Sequence, residues 1–433
     1  MRDSLLNHSK RVSFYSGESF RHKNISYTLK EQRHLHNLFN TMKLFPFKLI
    51  GLALILSACG KSQETKNMDV TDIAITIEKK AQIQFSTIFE QVEYIPLETT
   101  DTCLVGEVER LRIFNDKLCL LCDKSLLIFN KQTGKSELKL SKLGSAPEEY
   151  QSLYDIYIDE KDSYIELLDM NGKKVQKYSI NGQYRSTLPL PFRSFSFTKQ
   201  GESDYWFYNN NLISDDTTSK VIHYDSEDKH ILNEYFPINN HLSKFFFVVE
   251  GSNFSNQENG ILFFSCACDT IYLLDNKKEP NIAYTINFGQ HTTPKEFYNR
   301  KFSDIMEFSK EANKQEYVYF INNFSTDKEH ILLSFLLDKE YFWSLYNEIQ
   351  KTTQTGSILK DDINNLSHFQ IDNLNTLFAI DHEYLYFLMS AEQFIEISKN
   401  NKTFCKYIKD NDINEEHNPI LVKCKFGKEC PKM

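Results

Sequence analysis

The sequence predicts an all-β fold, a six-bladed β-propeller with four-stranded blades and one helical insertion between blades 4 and 5. Three observations carry that expectation: an aromatic-rich composition, a strand-and-turn pattern that returns six times, and a single irregular interval that opens on a helix start. The 433 residues include 23 Tyr and 34 Phe but only 14 Gly and 10 Pro. That balance favours sheets with packed aromatic faces over long irregular stretches.

The recurring unit is a short strand that ends on an apolar or aromatic residue and then a turn former. Its copies are LLIFN (126–130), VQKYS (175–179), VIHYD (221–225), IYLLD (271–275), WSLYN (343–347) and FIEIS (394–398). Each closes on Asn130, Ser179, Asp225, Asp275, Asn347 or Ser398, residue types that bond their own backbone and start turns. Measured from Phe129 through Tyr178, Tyr224, Leu274 and Tyr346 to Ile397, the spacings are 49, 46, 50, 72 and 51 residues. The long interval holds Thr293-Pro294-Lys295-Glu296, a cap, a Pro at the first helical position and an acid three after the cap, which is a helix start. Tyr298, Phe302, Ile305 and Met306 follow at helical spacing. A helical insertion over 294–315 accounts for 22 residues and returns the interval to 50.

A second strand precedes each copy, at 118–122, 164–169, 204–208, 261–266, 331–337 and 384–389. With leading strands such as 108–114 and trailing ones such as 184–188, each repeat supplies about four strands, the unit of a propeller blade. A ring must close, and 92–97 before the first copy and 420–426 after the last are spare strands for that role. The alternative of two β-sandwiches is disfavoured, because sandwiches need no such regular repeat and no linker divides the chain.

Met42-Lys43 opens a second apparent N-terminus: Lys43 and Lys48 are basic, and 49–56 is apolar apart from Gly51. This is the layout of a signal peptide, and it ends in Leu56-Ser57-Ala58-Cys59-Gly60. The apolar run is far short of the roughly 20 residues a membrane span needs. The expected organisation is a mis-assigned or extended start at 1–41, a signal at 42–58, a tether and lead-in at 59–90, the propeller at 91–427 and a tail at 428–433.

Residues 1–58 carry nine Lys/Arg against three Asp/Glu, a net +6 whose removal takes the formal charge from −9 to −15. No concentrated basic run suits phosphate binding, so nucleic acid is not an expected partner. The eight cysteines beyond Cys59 form no dense framework. Cys119 and Cys122, three apart on a strand, point to opposite faces, whereas Cys266 and Cys268 share one; small buried hydrophobes are the expectation for both pairs. A disulfide among Cys405, Cys424 and Cys430 stays open.

Leu56–Cys59 resembles the lipobox of bacterial lipoproteins, which implies a diacylglycerol on Cys59. Tyr94-Ile95-Pro96-Leu97-Glu98-Thr99, Gly106-Glu107, Asn418-Pro419-Ile420-Leu421-Val422 and the stretch 142–150 resemble those of NHL-like six-bladed propeller lipoproteins from envelopes of anaerobic gut bacteria. Lys142-Leu143-Gly144-Ser145-Ala146-Pro147-Glu148-Glu149-Tyr150 is similar to that family's glycine-rich turn, with Ala146 and Glu148 where the family commonly has Gly. The resemblance spans roughly 90–426. It implies a protein lipid-anchored to a membrane of the cell envelope, on its periplasmic or surface face, and it implies no chemistry.

No nucleophile elbow, Walker loop, HExxH or dinucleotide fingerprint occurs, and the eight histidines after Cys59 lack ligand-like spacing. Propeller ligands bind at the axial mouth, where the candidate ligand-binding residues are Arg110, Arg112, Asp155, Arg193 and Asp381. An Arg fork suits a carboxylate, phosphate or sugar acid; the competing expectation pairs Arg110 and Arg112 with Glu107 and Glu109 at the rim. Two function classes follow. The first is a non-catalytic binding or scaffold module for a protein or glycan, using exposed aromatics such as Trp206 and Trp343, with packing between blades as their other reading and no cofactor. The second is a lactonase- or esterase-like propeller hydrolase using Ca²⁺, for which Asp155 and Asp381 are the obvious axial carboxylates; no metal ligands are assigned.

Overall fold

The structure is a computed structural model that describes residues 70–427 except 160, 214–216, 240, 244, 246, 248–250, 276–278 and 382. The expected signal peptide, Cys59 and the terminal tail lie outside the described residues.

The chain enters through β1 (Thr71–Ala74), β2 (Gln82–Gln84) and β3 (Phe89–Pro96). Blade 1 is the meander β4 (Val108–Phe114), β5 (Lys117–Cys122), β6 (Ser125–Asn130) and β7 (Ser136–Leu140). Blade 2 is β8 (Leu153–Asp159), β9 (Tyr164–Asp169), β10 (Lys174–Ser179) and β11 (Tyr184–Pro189). Blade 3 is β12 (Ser196–Lys199), β13 (Asp204–Tyr208), β14 (Ser219–Asp225) and β15 (His230–Pro237). Blade 4 is β16 (Phe254–Gln257), β17 (Gly260–Phe264), β18 (Thr270–Leu274) and β19 (Asn281–Asn287), with β1 added in parallel along β19. Helices α1 (Lys295–Tyr298) and α2 (Ile305–Lys314) precede blade 5, made of β20 (Ile321–Thr326), β21 (His330–Leu337), β22 (Glu340–Asn347) and β23 (Thr352–Gly356). A small sheet then joins β24 (Ile358–Lys360) and β25 (His368–Gln370) to β2. The last sheet is β26 (Phe378–Asp381), β27 (Tyr384–Met389) and β28 (Ile420–Phe426), completed by β3; α3 (Ala391–Ser398) and α4 (Lys402–Asp410) lie between β27 and β28.

The propeller therefore has seven sheets, and the expected six blades are corrected to seven. The seventh is the small sheet, whose strands have three residues each and hold no copy of the repeated hairpin. It does not separate the inner strands of its neighbours. Asn323 Nδ2 on β20 donates to the Thr376 and Phe378 carbonyls, and Ser325 Oγ accepts from Ile380 N on β26.

Five of the six copies are the third strands β6, β10, β14, β18 and β22. Their closing residues act as turn formers. Asn130 Oδ1 accepts from Gln132 N and Thr133 N, Asp225 Oδ1 from Glu227 N and Asp228 N, and Asn347 Oδ1 from Gln350 N. The sixth copy is corrected: FIEIS lies in α3, a helix capped by Ser390 Oγ on Gln393 N. The single helix expected over 294–315 is two, α1 and α2. Asp304, not Thr293, caps α2, while the Thr293 hydroxyl bonds the Val318 carbonyl. Phe297, Phe308 and Ala312 fill the buried face against Leu242, Phe245, Phe247 and Tyr319, whereas Met306 is exposed. Among the described residues no helix is long and apolar enough to cross a membrane.

The strand period decides which sheets share a core. Leu118, Leu120 and Cys122 pack with Leu388 and Leu421 of the last sheet, while Cys119 and Leu121 pack with Ile156 and Leu167 of blade 2. Cys119 and Cys122 thus face opposite ways as expected, and both are buried, as is Cys266. Cys405 and Cys424 are free, and Cys430 lies outside the described residues.

The ring closes through β28 and β3, the two strands the sequence left spare. They pair antiparallel from Ile420 opposite Pro96 to Lys425 opposite Gln91. Blade 1 fastens onto this seam at Gly134, which has φ +70° and whose carbonyl accepts from Glu98 N. A Cβ on Gly134 would meet the Pro96 carbonyl at 2.0 Å, so only glycine fits. The 142–150 loop closes on itself through Tyr150, whose N donates to the Lys142 carbonyl and whose O accepts from Gly144 N. Neither Ala146 nor Glu148 takes a positive φ, so the loop needs no glycine at either position.

Asn323 also accepts from Ser252 N, so its amide reaches toward both neighbouring sheets. Replacing it by Ala strands two buried carbonyls, and Asn323→Ala is expected to lose about 2 to 3 kcal/mol. Urea unfolding measures this; an unchanged midpoint would show that the inner-strand lacing contributes nothing.

Candidate functional site

A cavity of about 1010 Å³ opens at one end of the ring axis. It is the end at which the innermost strands β4, β8 and β26 finish and turn back. Its wall includes Asn115 and Asp116 from the β4–β5 turn, Tyr157 and Asp159 from β8, Asn256 from β16, and Asp381 and Tyr384 from either side of the β26–β27 turn. Lys131 and Gln132 come from the turn after β6, Tyr386 from β27 and Lys423 from β28. The seam between the last sheet and blade 1 runs through this wall.

Two lysines form its deepest charged groups. Lys131 Nζ donates to Asp381 at 2.5 Å and stands 4.9 Å from the Tyr386 ring centre. Lys423 Nζ donates to Glu93 at 3.1 Å and to Gln132 at 3.0 Å, and stands 4.6 Å from the Tyr384 ring centre. Lys423 and Glu93 face each other directly across β28 and β3, so the ring closure itself sets their pairing. Burial, with Asp381 adding to it, pushes the Tyr386 hydroxyl well above its ordinary range, so this ring stays neutral and keeps its face for the ammonium. Burial also pushes the Asp159 carboxyl up, but Asp162 N and the Tyr164 hydroxyl donate to it and hold it below the usual value. Asp159 is therefore anionic at neutral pH. Behind it, Tyr164 accepts from the buried Lys199, which also pairs with Glu166 at 3.3 Å.

Of the five residues singled out in the sequence, the structure brings three together. Arg112 Nη2 donates to Asp155 at 2.6 Å, and Arg110 Nε stands 3.9 Å from the same carboxylate. Asp155 is wholly buried and also accepts from the Ser196 hydroxyl and Phe197 N of blade 3. One carboxylate thus ties blades 1, 2 and 3, and Arg112 turns inward to it where pairing at the rim was the competing expectation. Arg110 Nη1 donates to the Glu109 backbone carbonyl. Asp381 stands apart from this cluster, at the cavity. Arg193 lies in the connection before β12, with a buried Nε.

Of the two readings the sequence leaves for the tryptophans, exposed ligand contacts or packing between blades, the structure shows packing. Trp206 stacks on His223 with 4.2 Å between ring centres and is wholly buried; Trp343 Nε1 donates to the Asn375 carbonyl. Sequence reasoning missed Lys131, Tyr384, Tyr386 and Lys423. The only available signal was Tyr384 and Tyr386 on the same face of a predicted second strand. Among the described residues, no three His, Cys, Asp or Glu side chains lie close enough to hold a metal ion.

No curated protein matches the sequence. Among solved structures, the chain is similar to a protein of Bacteroides fragilis described as exported, with 17% identity and a TM-score of 0.64 over 83% of this chain and 100% of that one. It also matches a DUF4221 family member from Bacteroides vulgatus (13% identity, TM-score 0.46, 78% and 97% covered) and a streptogramin B lyase (10%, 0.40, 79% and 99%). At these identities the likeness concerns the fold alone. Over residues 68–425 the sequence matches the family described as "Domain of unknown function (DUF4934)", and the chain belongs to that family.

Proposed function

We propose that this protein is a non-catalytic binding propeller of the bacterial envelope, held to a membrane by a lipid on Cys59, and that its cavity takes a glycan. The cavity at the seam carries the reading. Its wall combines Tyr157, Tyr384 and Tyr386 with the planar polar side chains of Asn115, Asp116, Gln132, Asp159, Asn256 and Asp381. Aromatic faces cover the C–H surface of a sugar, and short amides and carboxylates accept or donate to neighbouring hydroxyls. A protein ligand would instead be anchored by apolar hot spots, and among the described residues the apolar side chains of the wall are Ile113, Phe114 and Ile158. The lipobox-like segment and the likeness to an exported protein support the envelope location.

The wall is built from tight turns on adjacent strands, so its groups are placed before a ligand arrives. Little conformational entropy is then lost on binding.

In this reading Asp381 faces ligand, whereas Asp155 holds blades together. Asp155→Ala leaves the Arg112 guanidinium without its carboxylate and is expected to destabilise the fold by about 3 to 5 kcal/mol, read as a lowered urea midpoint. A midpoint within error of the parent would refute that role.

A glycan array, followed by calorimetry on the best hits, tests the function. Tyr384→Ala is expected to weaken the best hit about tenfold, equivalent to about 1.4 kcal/mol, with the urea midpoint little changed. An array without hits, alongside a folded protein, would refute glycan binding.

A further inference from the structure

Resting on the glycan reading of the cavity, we infer that the sugar it takes carries a carboxylate, and that Lys131 and Lys423 receive that group. Depth comes first. The Lys131 and Lys423 side chains are 8% and 7% exposed, while their partners Asp381 and Glu93 are 22% and 40% exposed. The lysine side chains are therefore more covered than the carboxylates that neutralise them.

Donor capacity comes second. An ammonium has three N–H donors. Among the described residues Lys131 Nζ donates to Asp381 alone, and Lys423 Nζ to Glu93 and Gln132. Three N–H donors of two nearly buried cations thus lack a hydrogen-bond acceptor among the described residues, at a depth where an acceptor is worth more than in water. The rings of Tyr386 and Tyr384 cover one side of each ammonium, which leaves the cavity side for the acceptor.

The rim sets the charge of the ligand. Asp116 and Glu383, also on the cavity wall, are 58% and 69% exposed. Both pair with a lysine, Lys117 at 3.5 Å and Lys425 at 4.0 Å, and Lys161 stands on the same wall, so the mouth carries mixed charge that suits neutral hydroxyls better than a densely charged polymer. One carboxylate directed inward, with hydroxyls at the mouth, satisfies both layers. That chemistry is a uronic acid within an otherwise neutral oligosaccharide. An anionic group reaching Lys131 also competes with Asp381, so the Asp381 carboxylate weakens the acidic ligand and shapes selectivity.

The test compares glucuronate- and galacturonate-bearing oligosaccharides with the same oligosaccharides after their carboxyls are reduced to alcohols, by calorimetry on the full chain. The acidic form is expected to bind at least tenfold more tightly than its reduced twin. Lys131→Met is expected to shrink the ratio of the two affinities severalfold. Asp381→Asn removes the competing carboxylate and is expected to tighten the acidic ligand severalfold, a gain that a purely structural role for Asp381 does not produce. Equal affinity for the two forms overturns the inference and leaves the glycan reading standing. Binding of neither, together with an empty array of neutral glycans, overturns the reading itself. Retention of the full preference in Lys131→Met overturns the assignment to that lysine, and capture of peptides through their terminal carboxylates in place of uronates overturns the sugar class.

Discussion

The pairing of β28 with β3 is the constraint on which the rest of the molecule depends. An open row of blades has two bare edges and no axis; antiparallel pairing of strands more than 300 residues apart converts it to a ring. The same pairing places Lys423 opposite Glu93 and brings the last sheet against blade 1, where Lys131 meets Asp381. Closure and cavity thus share one seam, and without it Lys423 would lose Glu93 and Lys131 would lose Asp381.

Around the axis, side chains rather than backbone ladders connect one inner strand to the next. Asp155 joins blades 1, 2 and 3, and Asn323 joins blade 5 to the last sheet. Thr198 on β12 bonds Asn256 on β16 at 3.1 Å, and Asn256 Nδ2 donates to the Lys199 carbonyl. Asp155, Asn323 and Thr198 are buried, so leaving one unmatched costs more than making the bond gains. That asymmetry fixes the order and register of the blades, while apolar packing between faces supplies the bulk of the stability.

Much of this was legible in the chain. The third strands stood out because one hairpin, with an Asn, Ser or Asp at its end, must be rebuilt in each blade. The spare strands of the seam followed from the need to close a ring. The α3 segment was misread because Phe394 and Ile397 satisfy a helical face as well as a strand, although Ser390 and Gln393 already spelled a helix cap. The small sheet escaped because β24 finds its partner β2 some 270 residues earlier, with no local pattern to report it. The cavity lysines escaped for a related reason. Lys131 sits in a turn and Lys423 on a strand, with no spacing that marks either, and only the closed ring reveals that both are covered.

The two ends of the ring are built differently, and the difference bears on function. β27 runs from Tyr384 at the cavity to Met389 at the far end, where α3 and α4 follow. β20 starts at the far end, so α1 and α2, which lead into it, lie there too. The longer connections of these sheets therefore collect away from the cavity, and the turns at its mouth stay short: three residues separate Thr326 from His330, and two residues separate Phe114 from Lys117. Short turns bonded by their own side chains have few conformations to lose. Recognition at such a mouth is set by fixed groups on the wall, and its specificity by which buried cation still has a donor to offer.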